Sequence, residues 1–177
     1  KMIKTIARLI AEQKIIGWFQ GRMEWGPRAL GNRSIIADAR NKENWQRVNL
    51  KIKFRESFRP FAPSILEEKT EDYFDLPKDF FGQGTPTPYM LLTAQVKKQT
   101  IPAVTHLDNS ARLQTVSFKE NYLYYSLIKE FENLTNCPVI INTSFNVRGE
   151  PIVLSPQDAF LCFIKTDIDY LVMGDYL

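Results

Sequence analysis

Apolar residues recur at helical spacing along the first turns of the chain. Ile3, Ile6, Ala7 and Ile10 fall on one face, which predicts a helix over 2–13. IIGWF (15–19) then reads as a strand, and after a Gly/Arg-rich loop (20–33) SIIAD (34–38) reads as a second. Asn41 offers an N-cap to a helix over 42–51. Residues 52–60 carry no regular pattern, PFAPSIL (60–66) is a strand interrupted by prolines, and EEKTEDYF (67–74) is a short acidic helix. Prolines and glycines make 75–88 a loop. YMLLTAQV (89–96) and AVTHL (103–107) predict strands, and 112–117 alternates weakly as another. Asn121 opens a long helix to Thr135, with Leu123, Leu127, Ile128 and Phe131 on its apolar side. PVIIN (138–142) is almost wholly apolar, as a strand buried on both faces requires. Ser155 caps and Pro156 starts a helix over 156–165, and DYLVM (169–173) closes as a strand. With no repeat and no interior linker, this alternation predicts one α/β domain over residues 1–177, built on a mostly mixed sheet with flanking helices.

Composition agrees with that picture. The 177 residues are 44% hydrophobic and 24% charged, which excludes a collagen-like, disordered or disulfide-dense chain. No stretch of about 18 uninterrupted apolar residues predicts a membrane-crossing helix. The amphipathic start does not read as a signal peptide, so the expected location is the cytoplasm. Lys1 stands where an initiator Met would, and the chain reads as a piece of a longer protein. Cys137 and Cys162 lie among apolar residues without CxxC spacing and are expected as buried thiols.

Charge changes the picture more. The net charge is +3, but residues 21–60 hold ten bases against four acids, a local +6, while the remainder holds thirteen bases against sixteen acids. Such a patch implies an anionic partner without naming it. Common chemistries drop out in turn. There is one histidine, His106, no G-x-S-x-G elbow and no HExxH. A lone histidine is more commonly a hydrogen-bonded structural residue than a base. Gly21-Arg-Met-Glu-Trp-Gly26 has phosphate-loop spacing, but Pro27 and Arg28 stand where Lys and Ser/Thr are needed. Gly82-Gln-Gly84 lacks the third glycine of a dinucleotide fingerprint.

What remains is a set of bases in loops. GPRALGNRS carries Arg28 and Arg33, and KFRESFRPFAPS carries Lys53, Arg55 and Arg59. Two polar loops leave strands, THLDNSARLQTV with His106, Asp108, Arg112 and Gln114, and INTSFNVRGEP with Asn142, Ser144, Asn146, Arg148 and Glu150. Guanidinium groups grip phosphate or carboxylate through paired hydrogen bonds, and Ser and Asn add neutral donors. Brought together at the ends of strands, these residues would form a pocket for a small, highly charged anion. An alternative is an RNA-binding module, in which the basic stripe and its interleaved Trp25, Trp45, Phe54, Phe58 and Phe61 track a backbone and stack bases. The net acidic remainder disfavours it.

Five motifs in order, GWFQGRMEWGPRALGNRSIIAD, KFRESFRPFAPS, VTHLDNSARLQTV, PVIINTSFNVRGEPIV and TDIDYLVMG, resemble the carboxy-terminal domain of the O-carbamoyltransferases that act in nodulation and antibiotic tailoring. The resemblance implies a YrdC-like fold, a twisted open α/β sheet. It also implies binding of carbamoyl phosphate and of ATP with Mg²⁺, and formation of carbamoyl adenylate. A separate Kae1-like amino-terminal domain, holding iron, would then carry the carbamoyl group to a hydroxyl of a small acceptor. Carried over by motif, Arg28, Lys53, Arg59, Arg112, Asn142 and Ser144 are the expected substrate-binding residues, with Lys53, Arg59, Arg112 and Ser144 as the catalytic set. Arg22, Arg40, Lys42 and Arg47 are expected to be solvated or structural. One departure is the Asn109-Ser110 turn, where family members often have Gly-Thr.

Overall fold

The computed structural model describes residues 1–54, 60–76 and 87–177. Its frame is a six-stranded mixed sheet made of β1 (Ile16–Phe19), β2 (Arg33–Asp38), β3 (Ala62–Leu66), β7 (Gln114–Val116), β8 (Val139–Ser144) and β9 (Tyr170–Met173), in the order β7-β3-β8-β2-β1-β9. β8 is antiparallel to both its neighbours, β2 and β3, while the outer pairs β3–β7 and β1–β9 are parallel. Val139, Ile140 and Ile141 are fully buried, which is why the strand reads as a continuous apolar run. A small antiparallel sheet of β4 (Phe74–Asp75), β5 (Thr93–Val96) and β6 (Ser110–Arg112) stands beside the large one. The single α/β domain with an open, mixed sheet and flanking helices is thus the fold found.

The helices begin where side chains can cap them. Asn41 Oδ1 accepts from the Glu43 N–H to start α2 (Lys42–Arg47), and Asn121 Oδ1 accepts from Tyr124 N–H to start α4 (Tyr122–Thr135). Ser155 and Asp158 form a reciprocal capping box at α5 (Pro156–Ile164). α1 (Met2–Ala11) buries Ile6, Ala7, Leu9 and Ile10 and packs on α4. α4 lies on β3 and β8, and α5 lies on β1 and β9. α3 (Thr70–Tyr73) is the short acidic helix. Both cysteines are free and buried, and burial raises both thiols.

Three expectations change. Residues 103–107 form no strand: Pro102–Val104 make a single 3-10 turn, because Pro102 lacks an N–H and fixes its own φ. Ala103 N–H instead reaches Ala39 O at 3.1 Å, so Ala103 and Val104 are buried without joining a ladder, and Leu107 is exposed. The strand expected over 89–96 shrinks to Thr93–Val96, since Met90 takes φ +56°, a left-handed conformation that interrupts extension. The run 112–117 divides at Leu113, with β6 on one side in the small sheet and β7 on the other in the large sheet. Past α2, the helix widens into a π turn over Val48–Ile52, closed by Lys53 N–H on Val48 O at 2.8 Å. The glycine pair 82–84 lies outside the described residues.

Candidate active site

The register of the large sheet gathers the polar loops at one end. Ser34 faces Ser144, Ala62 faces Asn142 and Ser64 faces Gln114. The starts of β2, β3 and β7 therefore collect around the carboxyl end of β8. The loop before β2 is fixed there by groups of its own. Glu24 Oε1 accepts from Leu30 N–H at 2.7 Å, Asn32 N–H at 2.7 Å and Arg33 N–H at 3.3 Å. Trp18 Nε1 donates to Gly31 O at 2.8 Å. Gly31 has φ +108°, and a Cβ on it would lie 2.4 Å from the Tyr124 ring, so only glycine fits.

A second device locks this loop to the sheet. Tyr124 OH donates to Ser64 Oγ (3.0 Å), which donates to Gln114 Oε1 (2.6 Å). Gln114 Oε1 also accepts from Asn142 Nδ2 at 2.8 Å, and Gln114 Nε2 donates to Leu30 O at 2.8 Å. Asn142 Nδ2 donates further to Ala29 O at 3.0 Å. Because the Ala29 carbonyl can only accept, the Asn142 amide has one orientation. Its Oδ1 is buried and has no hydrogen-bond partner.

Against this wall lies a cavity of about 100 Å³ lined by Arg28, Ala29, Phe61, Ala62, Met90, Arg112, Asn142 and Ser144, among others. It adjoins a chamber of about 370 Å³ that shares Arg28, Phe61 and Arg112 and adds Thr93 and His106. Arg28 and Arg112 have no carboxylate partner among the described residues. Arg112 Nε is buried without a hydrogen bond. Burial and the neighbouring Arg28 charge both push the Arg112 guanidinium down. Two like charges held together, one of them partly desolvated, favour the approach of an anion. A larger cavity of about 550 Å³, lined mainly by apolar groups of 150–162, contains no such pair, so chemistry rather than size selects the site.

The motif residues are thus partly brought together. Arg28, Arg112, Asn142 and Ser144 line one cavity. Lys53 is buried behind Ser144: its ammonium donates to the Ser144 carbonyl, to Ser144 Oγ at 3.2 Å, to Asn146 O at 2.9 Å and to Asn146 Oδ1 at 2.7 Å. It fixes the loop that leaves β8. Ser144 Oγ donates to Asn146 Oδ1 at 2.8 Å. Arg55 and Arg59 lie outside the described residues. Three other bases of the basic stretch are engaged elsewhere: Arg40 pairs with Asp38 at 2.6 Å and Arg47 with Asp169 at 3.0 Å. Arg33 donates to the Gln20, Asn32 and Gly21 carbonyls and stacks 3.5 Å over Phe19. Sequence reasoning missed Glu24, which counted only as one acid in a basic stretch, and the Ser64–Gln114–Tyr124 chain, whose members are far apart in sequence. Among the described residues no group of three or more His, Cys, Asp and Glu could hold a metal ion. No described helix is long and apolar enough to cross a membrane.

Residues 7–177 match the family described as carbamoyltransferase C-terminus. The chain belongs to that family. It is 49% identical over 173 residues to nodulation protein NolO of Bradyrhizobium diazoefficiens, covering 98% of this chain and 31% of the relative. The chain spans about a third or less of the curated relatives it matches. Among solved structures it superposes on full-length HypF in its phosphate- and nucleotide-bound form with TM-score 0.71 and 18% identity, over 98% of this chain and 25% of that one. On Sua5 of P. abyssi complexed with L-threonine the TM-score is 0.68 at 18% identity, over 97% and 46% of the two chains. Those likenesses carry the fold, which is YrdC-like, and the family match makes this a carboxy-terminal domain of carbamoyltransferase type. The Asn109 turn has φ +62°, a conformation glycine adopts freely and asparagine tolerates.

Proposed function

We propose that this domain binds carbamoyl phosphate and MgATP and forms carbamoyl adenylate. One observation carries the reading: Arg28 and Arg112, unpaired by any described carboxylate, share a cavity with Asn142, whose buried Oδ1 lacks a donor. The arginines suit a phosphate. The orphan acceptor asks for a ligand that also bears N–H, which a carbamoyl group has and a plain phosphate lacks.

In this reading, water cleaves carbamoyl phosphate to carbamate and phosphate. A carbamate oxygen then attacks the α-phosphorus of ATP, and the bond to the leaving pyrophosphate breaks. Arg28 and Arg112 neutralise oxygens that would otherwise repel the incoming carbamate, and positioning supplies most of the acceleration. Mg²⁺ arrives on the nucleotide phosphates as part of the substrate. Lys53 acts by holding Ser144 and Asn146 in place. Transfer to an acceptor hydroxyl is assigned to an amino-terminal, Kae1-like domain of the full protein, and iron belongs there. The +6 stretch supports this pocket over an RNA-binding stripe, because Arg33, Arg40 and Arg47 are engaged internally.

Calorimetry with carbamoyl phosphate and acetyl phosphate tests the reading. Wild type should favour carbamoyl phosphate by about tenfold, the difference made by one hydrogen bond to a buried acceptor. Arg112→Ala should weaken both ligands, and Asn142→Ala should erase the preference. Equal affinities in wild type would leave a phosphate site but end the carbamoyl assignment.

A further inference from the structure

His106 lies beyond the phosphate-binding arginines, on the wall of the larger chamber. Its tautomer follows from counting protons. Ser110 Oγ stands 2.7 Å from Asp108 Oδ1 and 3.1 Å from His106 Nδ1. The Asp108 carboxyl, held below its ordinary value by hydrogen bonds from Ser110, can only accept. The single hydroxyl proton therefore goes to Asp108, and Ser110 Oγ accepts from Nδ1–H. The other ring nitrogen, Nε2, then carries a lone pair whenever the ring is neutral. Burial is the main cause that keeps the ring neutral, and Arg112 adds to it against the opposing charge of Asp108.

Nε2 makes no hydrogen bond to any described residue. A lone pair is useless to phosphate oxygens, which Arg28 and Arg112 serve. The chamber thus has a cationic end and, at His106, a neutral acceptor. A ligand that satisfies both must carry phosphates and also a hydroxyl or amine. Inorganic polyphosphate has no such donor; a nucleoside has several.

We infer that His106 Nε2 is a specificity-determining acceptor for a hydroxyl or amine of the nucleoside portion of a nucleotide whose phosphates lie on Arg28 and Arg112. This rests on the nucleotide part of the proposed function. Ser110 and Asp108 are its positioning residues.

The test is calorimetry of the full chain with two probes, ATP and inorganic tripolyphosphate, both with Mg²⁺. His106→Phe keeps the ring volume but has no acceptor. His106→Gln places an amide oxygen near the position of Nε2. The expected result is an ATP affinity at least tenfold weaker in His106→Phe and within threefold of wild type in His106→Gln. Tripolyphosphate should bind all three within twofold. Ser110→Ala, which frees the tautomer, should fall between for ATP alone. Equal losses of both probes would make His106 a mere support for Arg112 and overturn the inference, as would unchanged ATP binding in His106→Phe. If wild type binds neither probe, the nucleotide reading itself falls, a result distinct from either of these.

Discussion

Arg33, at the start of β2 in the large sheet, and Arg112, at the end of β6 in the small one, are both drawn in from water, yet they live in opposite circumstances. Arg33 opens β2 with its guanidinium against three backbone carbonyls and the face of Phe19. Each has a buried Nε without a partner, but Arg112, which closes β6, makes no guanidinium hydrogen bond to any described residue and has another arginine for company. The first arginine is the closing pin of the loop over 20–33. The second finds no acceptor among the described residues. Charge counting sees no difference between them; the difference lies in whether the chain supplies the acceptors.

The sharpest way to break this contrast is to neutralise each arginine in turn. Arg33→Met should cost about 3 kcal/mol, because three carbonyls lose their donor inside the protein. In a domain of this size that lowers Tm by roughly 6–12 °C. Arg112→Met should leave Tm unchanged or higher, since an uncompensated charge is removed from a partly buried place. Thermal melts of the two variants decide it, and similar losses in both would erase the distinction. Next in size is Gly31→Ala, which forces a Cβ against Tyr124 and a side chain into φ +108°. It should cost about 2–3 kcal/mol and, by displacing the loop that carries Arg28, weaken carbamoyl phosphate binding as well. A stability loss with unaltered binding would detach the loop from the site.

The smallest effect is one of pH. His106 binds its proton less readily folded than unfolded. Between its folded value and the ordinary imidazole value, the unfolded chain therefore holds more protons, and stability rises with pH. Keeping the ring neutral costs nothing above that interval and costs most below it. Between pH 7.5 and 5.5 wild type should lose more Tm than His106→Gln. Parallel losses would show that the ring is not held away from its charged form.

Much of the fold was legible because its signals are local. Asn41, Asn121 and Ser155 announce their helices by side chains that bond within three residues, and β8 announces itself by an apolar run. The run 103–107 misled because its apolar residues suggested an extended strand, whereas Pro102 turns the chain there. The division at Leu113 was illegible for another reason: it depends on which distant strand each half meets, β5 for Arg112 and β3 for Gln114. In the site, Arg28, Arg112, Asn142 and Ser144 could be picked out as motif members, and they share one cavity. The bonds that hold Lys53 behind Ser144, and the bond Glu24 makes to its own loop, exist only once the chain has closed.

The run Arg112-Leu113-Gln114 has a further consequence. Arg112 supplies charge to the cavity, while Gln114 clamps Asn142 and the Leu30 carbonyl. Only the buried Leu113 separates them, about 7 Å of extended chain. Adding or deleting a single residue there would turn one of the two side chains to the opposite face of its strand. Either the charge in the cavity or the latch on its wall would be lost. At these three positions the spacing itself is a working part, and length is as strictly fixed as the identity of any side chain.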